Sequence, residues 1–155
     1  MHPNAHRVQS ALTALGASAE VRELAASTRT AAEAAAALDA KVAQIAKSLL
    51  FVAGEDPVLV IASGRNQVST AKLTQHLGLP VGRADADAVR RLTGFPIGGV
   101  PPVGHVAPVR VLIDRDLLLH KELWAAAGTP RAVFRTTPDE LVRITGGAVL
   151  DVREE

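Results

Sequence analysis

Gly94-Phe95-Pro96-Ile97-Gly98-Gly99-Val100-Pro101-Pro102-Val103-Gly104-His105-Val106-Ala107-Pro108 is the stretch around which the rest of the chain is organised. Four glycines and four prolines fall within fifteen residues, yet Phe95, Ile97, Val100 and Val103 supply apolar content. Disordered linkers lack such side chains, and helix or strand interiors reject such Gly/Pro density. The reading is a rigid, ordered loop, partly buried against the body of the protein. Glycine lets a backbone approach a ligand closely, and proline fixes φ so that neighbouring N–H groups keep one direction. A loop of this kind is either a packing device or a binding element.

Outward from the loop, the sequence reads as one α/β unit covering residues 1–155. Asn4 is a candidate cap for a first helix with an apolar stripe at Val8, Ala11, Leu12 and Leu15, closed by Gly16. Val21 to Leu24 is a short strand candidate. Thr30 and Glu33 form a T-x-x-E capping box before an alanine-rich helix. Ser48 to Ala53 and Val58 to Ala62 flank Gly54-Glu55-Asp56-Pro57 and predict a β-hairpin. Helices are expected near Thr70 to Leu77 and Ala86 to Leu92, the second capped by Asp85 and closed by Gly94. After the loop the pattern predicts a strand at Val109 to Ile113, a helix near Leu118 to Ala127, and a strand at Ala132 to Phe134. Thr137-Pro138-Asp139-Glu140 starts a last helix that stops at Gly146, before a strand at Ala148 to Val152. Hairpins interleaved with crossover helices imply a mixed sheet.

Composition excludes several chemistries. The chain has no Cys, so disulfides, thiolate metal sites and a cysteine nucleophile are ruled out. Of its five histidines only His2 and His6 stand at H-x-x-x-H spacing, H-E-x-x-H does not occur, and no Cys is available as a further ligand, so no metal site is expected. Neither G-x-x-x-x-G-K-[ST] nor G-x-G-x-x-G occurs, so no nucleotide cofactor is expected, and no cofactor of any other kind is indicated. Without a G-x-S-x-G elbow, a serine esterase ranks low. No apolar run approaches the roughly 18 residues of a membrane span, and Met1 to Ala19 lacks the apolar segment of a secretory signal. A cytoplasmic location without membrane association is expected. A net charge of +1 confines any nucleic-acid surface to a local patch, with Lys47, Arg65, Lys72 and Lys121 as candidate contacts and no DNA partner expected.

Lys47 is the second chemical signal. It lies in Ile45-Ala46-Lys47-Ser48-Leu49-Leu50-Phe51, and in an extended segment it shares a face with Ile45, Leu49 and Phe51. A lysine there either snorkels to water or sits at the mouth of a pocket, facing a phosphate or developing negative charge. His105, directly after the loop, is either a substrate contact or a rim residue. Trp124 either stacks a base or anchors the core.

Lys47 and the loop together resemble the YbaK/EbsC-type aminoacyl-tRNA deacylases, freestanding relatives of the editing domain inserted in bacterial prolyl-tRNA synthetases. The resemblance is carried by Gln44 to Phe51, Thr93-Gly94-Phe95, and Gly98 to Gly104. Gly98 to Pro102 fits the family's G-x-x-x-P loop, and Lys47 falls on its functional lysine. The order of Thr30 to Ala35, Val109 to Asp114 and Thr145-Gly146-Gly147 also agrees.

The resemblance implies a single compact α/β domain with a mixed, barrel-like sheet surrounded by helices. It also implies hydrolysis of the ester joining a wrong amino acid to the 3′-terminal adenosine of a tRNA. In that reading Lys47, Gly98 and Gly99 are catalytic. Thr30, Phe95, Val100, Pro101, Pro102, Gly104 and His105 touch substrate. Misacylated tRNA is the partner, with an aminoacyl-tRNA synthetase as a second. The alternative is a non-catalytic tRNA- or synthetase-binding module of the same fold. Pro101 stands where the cysteinyl-tRNA(Pro) deacylase branch commonly has serine, which argues for a different small amino acid such as Ala, Ser or Thr.

Overall fold

The hairpin predicted around Gly54 is the centre of the molecule. In a computed structural model that describes all 155 residues, strand β2 (Ile45–Ala53) runs antiparallel to β3 (Asp56–Ser63), with Lys47 opposite Ala62 and Phe51 opposite Val58. β5 (Arg110–Asp114) adds parallel to β3, and β8 (Ala148–Leu150) parallel to β5. On the far side β6 (Leu123–Ala126) lies parallel to the start of β2, followed by β7 (Ala132–Thr136) and β1 (Val21–Glu23), both antiparallel. The result is one mixed sheet of eight strands in the order β1-β7-β6-β2-β3-β5-β8, with β4 (Val81–Arg83) also paired to β2.

Five α-helices cover the two faces. Ala46, Leu50, Leu59, Ile61 and Phe134 point to one face and pack with α1 (Pro3–Ala14), α4 (Ala86–Thr93) and α5 (Pro138–Thr145) in the main core. The opposite face is split. Ile45, Trp124 and Val133 pack under α2 (Ala31–Leu38), whereas Phe51, Val58, Val60 and Leu112 pack under α3 (Thr70–Leu77). Strand alternation places Lys47 on this second face, between the two apolar clusters.

The capping signals account for the helix starts. Thr30 accepts from the Glu33 amide at 3.1 Å, Asp85 from Ala88 at 2.8 Å, and Thr137 from Glu140 at 3.2 Å. One start differs: His2, not Asn4, caps α1, and Asn4 instead donates through Nδ2 to Gly128 O.

The helix expected at Leu118 to Ala127 is not present. Arg115–Leu119 is a 3₁₀ turn, and Leu123–Ala126 is strand β6. Leu123, Trp124 and Ala125 are buried on both faces between β2 and β7, so their apolar run carries no period-two signal. The short strand β4 had no sequence signal of its own, and β2 begins at Ile45, ahead of the Ser48 start expected for the hairpin.

Candidate functional site

A cavity of about 250 Å³ opens along β2, where residues of the main core (Ala46, Leu50, Val100 and Ala125) meet those of the α2 cluster (Ala34, Ile45, Trp124 and Val133). Its floor is β2 from Ile45 to Leu50, and its walls are residues 28–31 leading into α2, Ile97, Gly98 and Val100 of the loop, and β6. Fourteen of its 21 lining residues are hydrophobic, and none is an acid, an amide, a histidine or a tyrosine. Its charged groups are Arg29, Lys47 and Arg83, all cationic. Such a mouth attracts a polyanion and rejects a free cation.

Lys47 is half-buried, and its Nζ donates to the Gly64 carbonyl at 3.4 Å. Desolvation, and next the nearby Arg83 guanidinium, hold its pKa below the ordinary lysine value, partly opposed by Asp114. The turn that carries Gly64 is itself fixed from beneath. Asp114, only 1% exposed, accepts from the Ser63 amide at 3.0 Å and from Asn66 Nδ2 at 2.8 Å. Ser63 Oγ donates to Ala43 O at 2.8 Å. Gly64 has no room for a side chain, since an added Cβ would meet Ala31 Cβ at 2.8 Å. A buried carboxylate thus positions the turn that meets the ammonium.

The glycine–proline loop divides into two halves. Ile97, Gly98 and Val100 face the cavity. Gly98 has φ +86° and sits against Arg29, where an added Cβ would come within 2.6 Å of Cγ. The Gly98 and Val100 amides donate to no acceptor within the chain. Gly99 is different: its amide donates to Pro96 O at 3.0 Å, and its carbonyl accepts from Gly128 at 2.8 Å. That amide is committed to a turn and is not available to a ligand, which leaves those of Gly98 and Val100 as free amides of this half of the loop.

The second half packs inward. Phe95 is fully buried, with the Arg7 guanidinium 4.4 Å from its ring centre. Pro101 and Pro102 are buried, and Gly104, with φ +85°, lies against Ala11 of α1. His105 Nε2 donates to Pro101 O at 2.7 Å, which ties the ring to the loop, and burial lowers its pKa. Phe95, Gly99, Pro101, Pro102, Gly104 and His105 are therefore outside the cavity lining, whereas Lys47, Thr30, Gly98 and Val100 line it. Thr30 presents a hydroxyl already engaged with Glu33.

Arg29 and Arg83 were not singled out in the sequence. Arg29 immediately precedes a capping threonine, and Arg83 sits on β4, a three-residue strand. Of the cations that were, Lys72 is bonded to Asp151 at 2.9 Å and to Arg153 O at 2.6 Å, and Lys121 lines a separate polar cleft. Arg65 is exposed beside Gly64. Trp124 is 7% exposed, lines the cavity wall, and carries the Arg22 guanidinium 5.3 Å from its ring centre.

Comparison with known proteins agrees with this geometry. The aminoacyl-tRNA editing domain family matches residues 25–144, which include every cavity-lining residue. The chain is 30% identical to the uncharacterized protein YwhH of Bacillus subtilis over 79% of its own length and 78% of that protein. It is 37% identical over 84 residues to the proline–tRNA ligase of Geobacter sp. strain M21, of which it spans 15%. Among solved structures, a protein proposed as a trans-editing enzyme for prolyl-tRNA synthetase superposes with a TM-score of 0.96 at 51% identity, covering 100% of this chain and 99% of that one. The hypothetical protein APE2540 superposes with a TM-score of 0.90 at 34% identity, over 96% of this chain and 99% of that one. The chain belongs to the aminoacyl-tRNA editing domain family and is an aminoacyl-tRNA deacylase.

Proposed function

We propose that the cavity holds the aminoacyl end of a misacylated tRNA of the prolyl system, with Lys47 and Gly98 on either side of the scissile ester. The observation that carries this reading is the partly desolvated Lys47 ammonium, set in a hydrocarbon-lined cavity that also contains the free Gly98 and Val100 amides. An aminoacyl ester is already activated, so positioning and charge stabilisation supply most of what the reaction needs. Lys47 binds a terminal phosphate or ribose oxygen, with Arg29 and Arg83 extending the cationic rim. The Gly98 and Val100 amides face the carbonyl oxygen as negative charge develops on it. Water adds to the carbonyl carbon, the bond to the ribose oxygen breaks, and the proton given up by the water passes to that oxygen, which leaves as the free 3′ or 2′ hydroxyl while the amino acid departs with a free carboxyl group. No carboxylate, imidazole or thiol lines the cavity, so the attacking group is activated without such a side chain.

A cavity of this size, walled by Ala31, Ala34, Ala125 and Ala126, suits a small amino acid such as alanine, serine or threonine. The likeness to prolyl-tRNA ligases supports tRNA(Pro) as the carrier and a prolyl-tRNA synthetase as the source of the error. The test is deacylation of a panel of mischarged tRNAs by the full chain. Hydrolysis of a small-amino-acid ester on tRNA(Pro) is expected. Stable binding without hydrolysis of any member would replace this reading by a non-catalytic module.

A further inference from the structure

Ser48 occupies an interruption in the sheet. β2 is paired with β3 along its length, but its other edge is shared: β6 takes Ile45 and Ala46, and β4 takes Phe51 to Ala53. The Ala84 amide extends the second pairing to Leu50 O at 3.1 Å. Nothing pairs with the edge between. The direction of each main-chain group follows from its neighbours. Ile45 O accepts from Gly64 on the β3 side, while Leu50 O points the other way. Ser48, two residues before Leu50, therefore turns its N–H and C=O toward the bare edge, which is the cavity floor.

The side chain adds a second open valence. Ser48 Oγ is the one covered side-chain oxygen or nitrogen of the chain without a hydrogen-bond partner. Such a group calls for an explanation, since leaving a hydroxyl unpaired costs folding free energy. Ser48 is only partly buried and already lines the cavity, so its unpartnered Oγ belongs to a residue that borders the space a ligand would fill.

The rest of the cavity defines what would use these groups. Arg29, Lys47, Arg83 and the Trp124 indole are donors, and most of the remainder is hydrocarbon. The Thr30 hydroxyl is held by Glu33, and the Thr28 hydroxyl donates to Pro130 O. The phosphate, ribose and carbonyl oxygens of an aminoacyl-tRNA find donors in plenty. Its α-amino group needs acceptors, and side-chain carboxylates and amides are absent.

We propose that Ser48 is the specificity residue that binds the substrate's α-amino group, with its main-chain carbonyl and its Oγ as the two acceptors. This inference rests on the deacylase reading above. It separates the work of neighbouring residues: Lys47 holds the nucleic-acid end, and Ser48 reads the amino acid as an amino acid.

The test compares alanyl-tRNA(Pro) with propionyl-tRNA(Pro), which lacks only the amino group, in single-turnover hydrolysis by the wild-type chain and Ser48→Ala. Each variant rate is divided by the wild-type rate on the same ester. Ser48→Ala is expected to slow the alanyl ester by about tenfold and the propionyl ester by less than twofold. Its melting temperature should equal or exceed that of the wild type, because no internal hydrogen bond is lost. Equal losses on both esters, an unchanged alanyl rate, or a clear fall in melting temperature would each overturn the inference. A wild-type chain that hydrolyses no aminoacyl-tRNA would overturn the deacylase reading first, and this inference with it.

Discussion

Replacing Gly98 by valine separates a binding loop from a packing loop. At φ +86° a β-branched residue is strained by about 1–2 kcal/mol. The new Cβ would meet Arg29 Cγ at 2.6 Å and Arg29 O at 3.3 Å. The Arg29 side chain is exposed and can swing away, so the steric part adds about 1 kcal/mol. A total of about 2–3 kcal/mol leaves a domain of this size folded and lowers its melting temperature by roughly 5–10 °C. The effect on catalysis should be larger. The valine side chain would occupy the cavity wall and displace the amide proposed to face the ester carbonyl, and loss of one such donor costs about 10²–10³ in rate. Melting and single-turnover deacylation on the same preparation give both numbers. A folded Gly98→Val protein with a rate within twofold of the wild type would refute the placement of the loop at the reacting carbonyl.

Two further outcomes follow from the same contacts. Asp114→Ala leaves the Ser63 and Asp116 amides without their acceptor and removes one of the two hydrogen bonds of Asn66 Nδ2, and should cost about 3 kcal/mol or more in denaturant unfolding. Binding of tRNA should weaken as salt rises, and Arg29→Ala or Arg83→Ala should each reduce the salt slope by about one phosphate contact. Lys72→Ala should leave that slope unchanged, because its ammonium already serves Asp151.

Sequence patterns carried most of the fold because local signals and tertiary packing agree. The caps at Thr30, Asp85 and Thr137 and the turn at Gly54 sit where the sequence places them. Leu123 to Ala126 was misread because a strand buried on both faces has no periodicity to show. At the site, Lys47 was legible as a cation on an apolar strand face, and Gly98 as part of a dense Gly/Pro run. The division of that run into a cavity half and a packing half was not, because it depends on which residues meet α1 and which meet Arg29. Arg83 and the bare edge at Ser48 arise only when β4 and β6 both stop short on the same side of β2. No spacing within either segment encodes that.

The central claim is that the Lys47 ammonium acts on the substrate. The most direct measurement is single-turnover deacylation of an aminoacyl-tRNA(Pro) as a function of pH by the wild type, Lys47→Ala and Lys47→Arg. Burial and Arg83 lower the Lys47 pKa, so the required positive charge is lost as pH rises through a value below that of an ordinary lysine. The enzymatic rate, after subtraction of spontaneous hydrolysis, should fall along that limb. Arginine stays charged throughout, so Lys47→Arg should lose the limb if it retains activity. In the fold the depressed pKa disfavours the charged lysine, and stability rises with pH between the folded and unfolded pKa values. Lys47→Ala should therefore melt no lower than the wild type at neutral pH, while its rate falls by about 10²–10³. A Lys47→Ala protein that hydrolyses the ester at the wild-type rate would contradict the account.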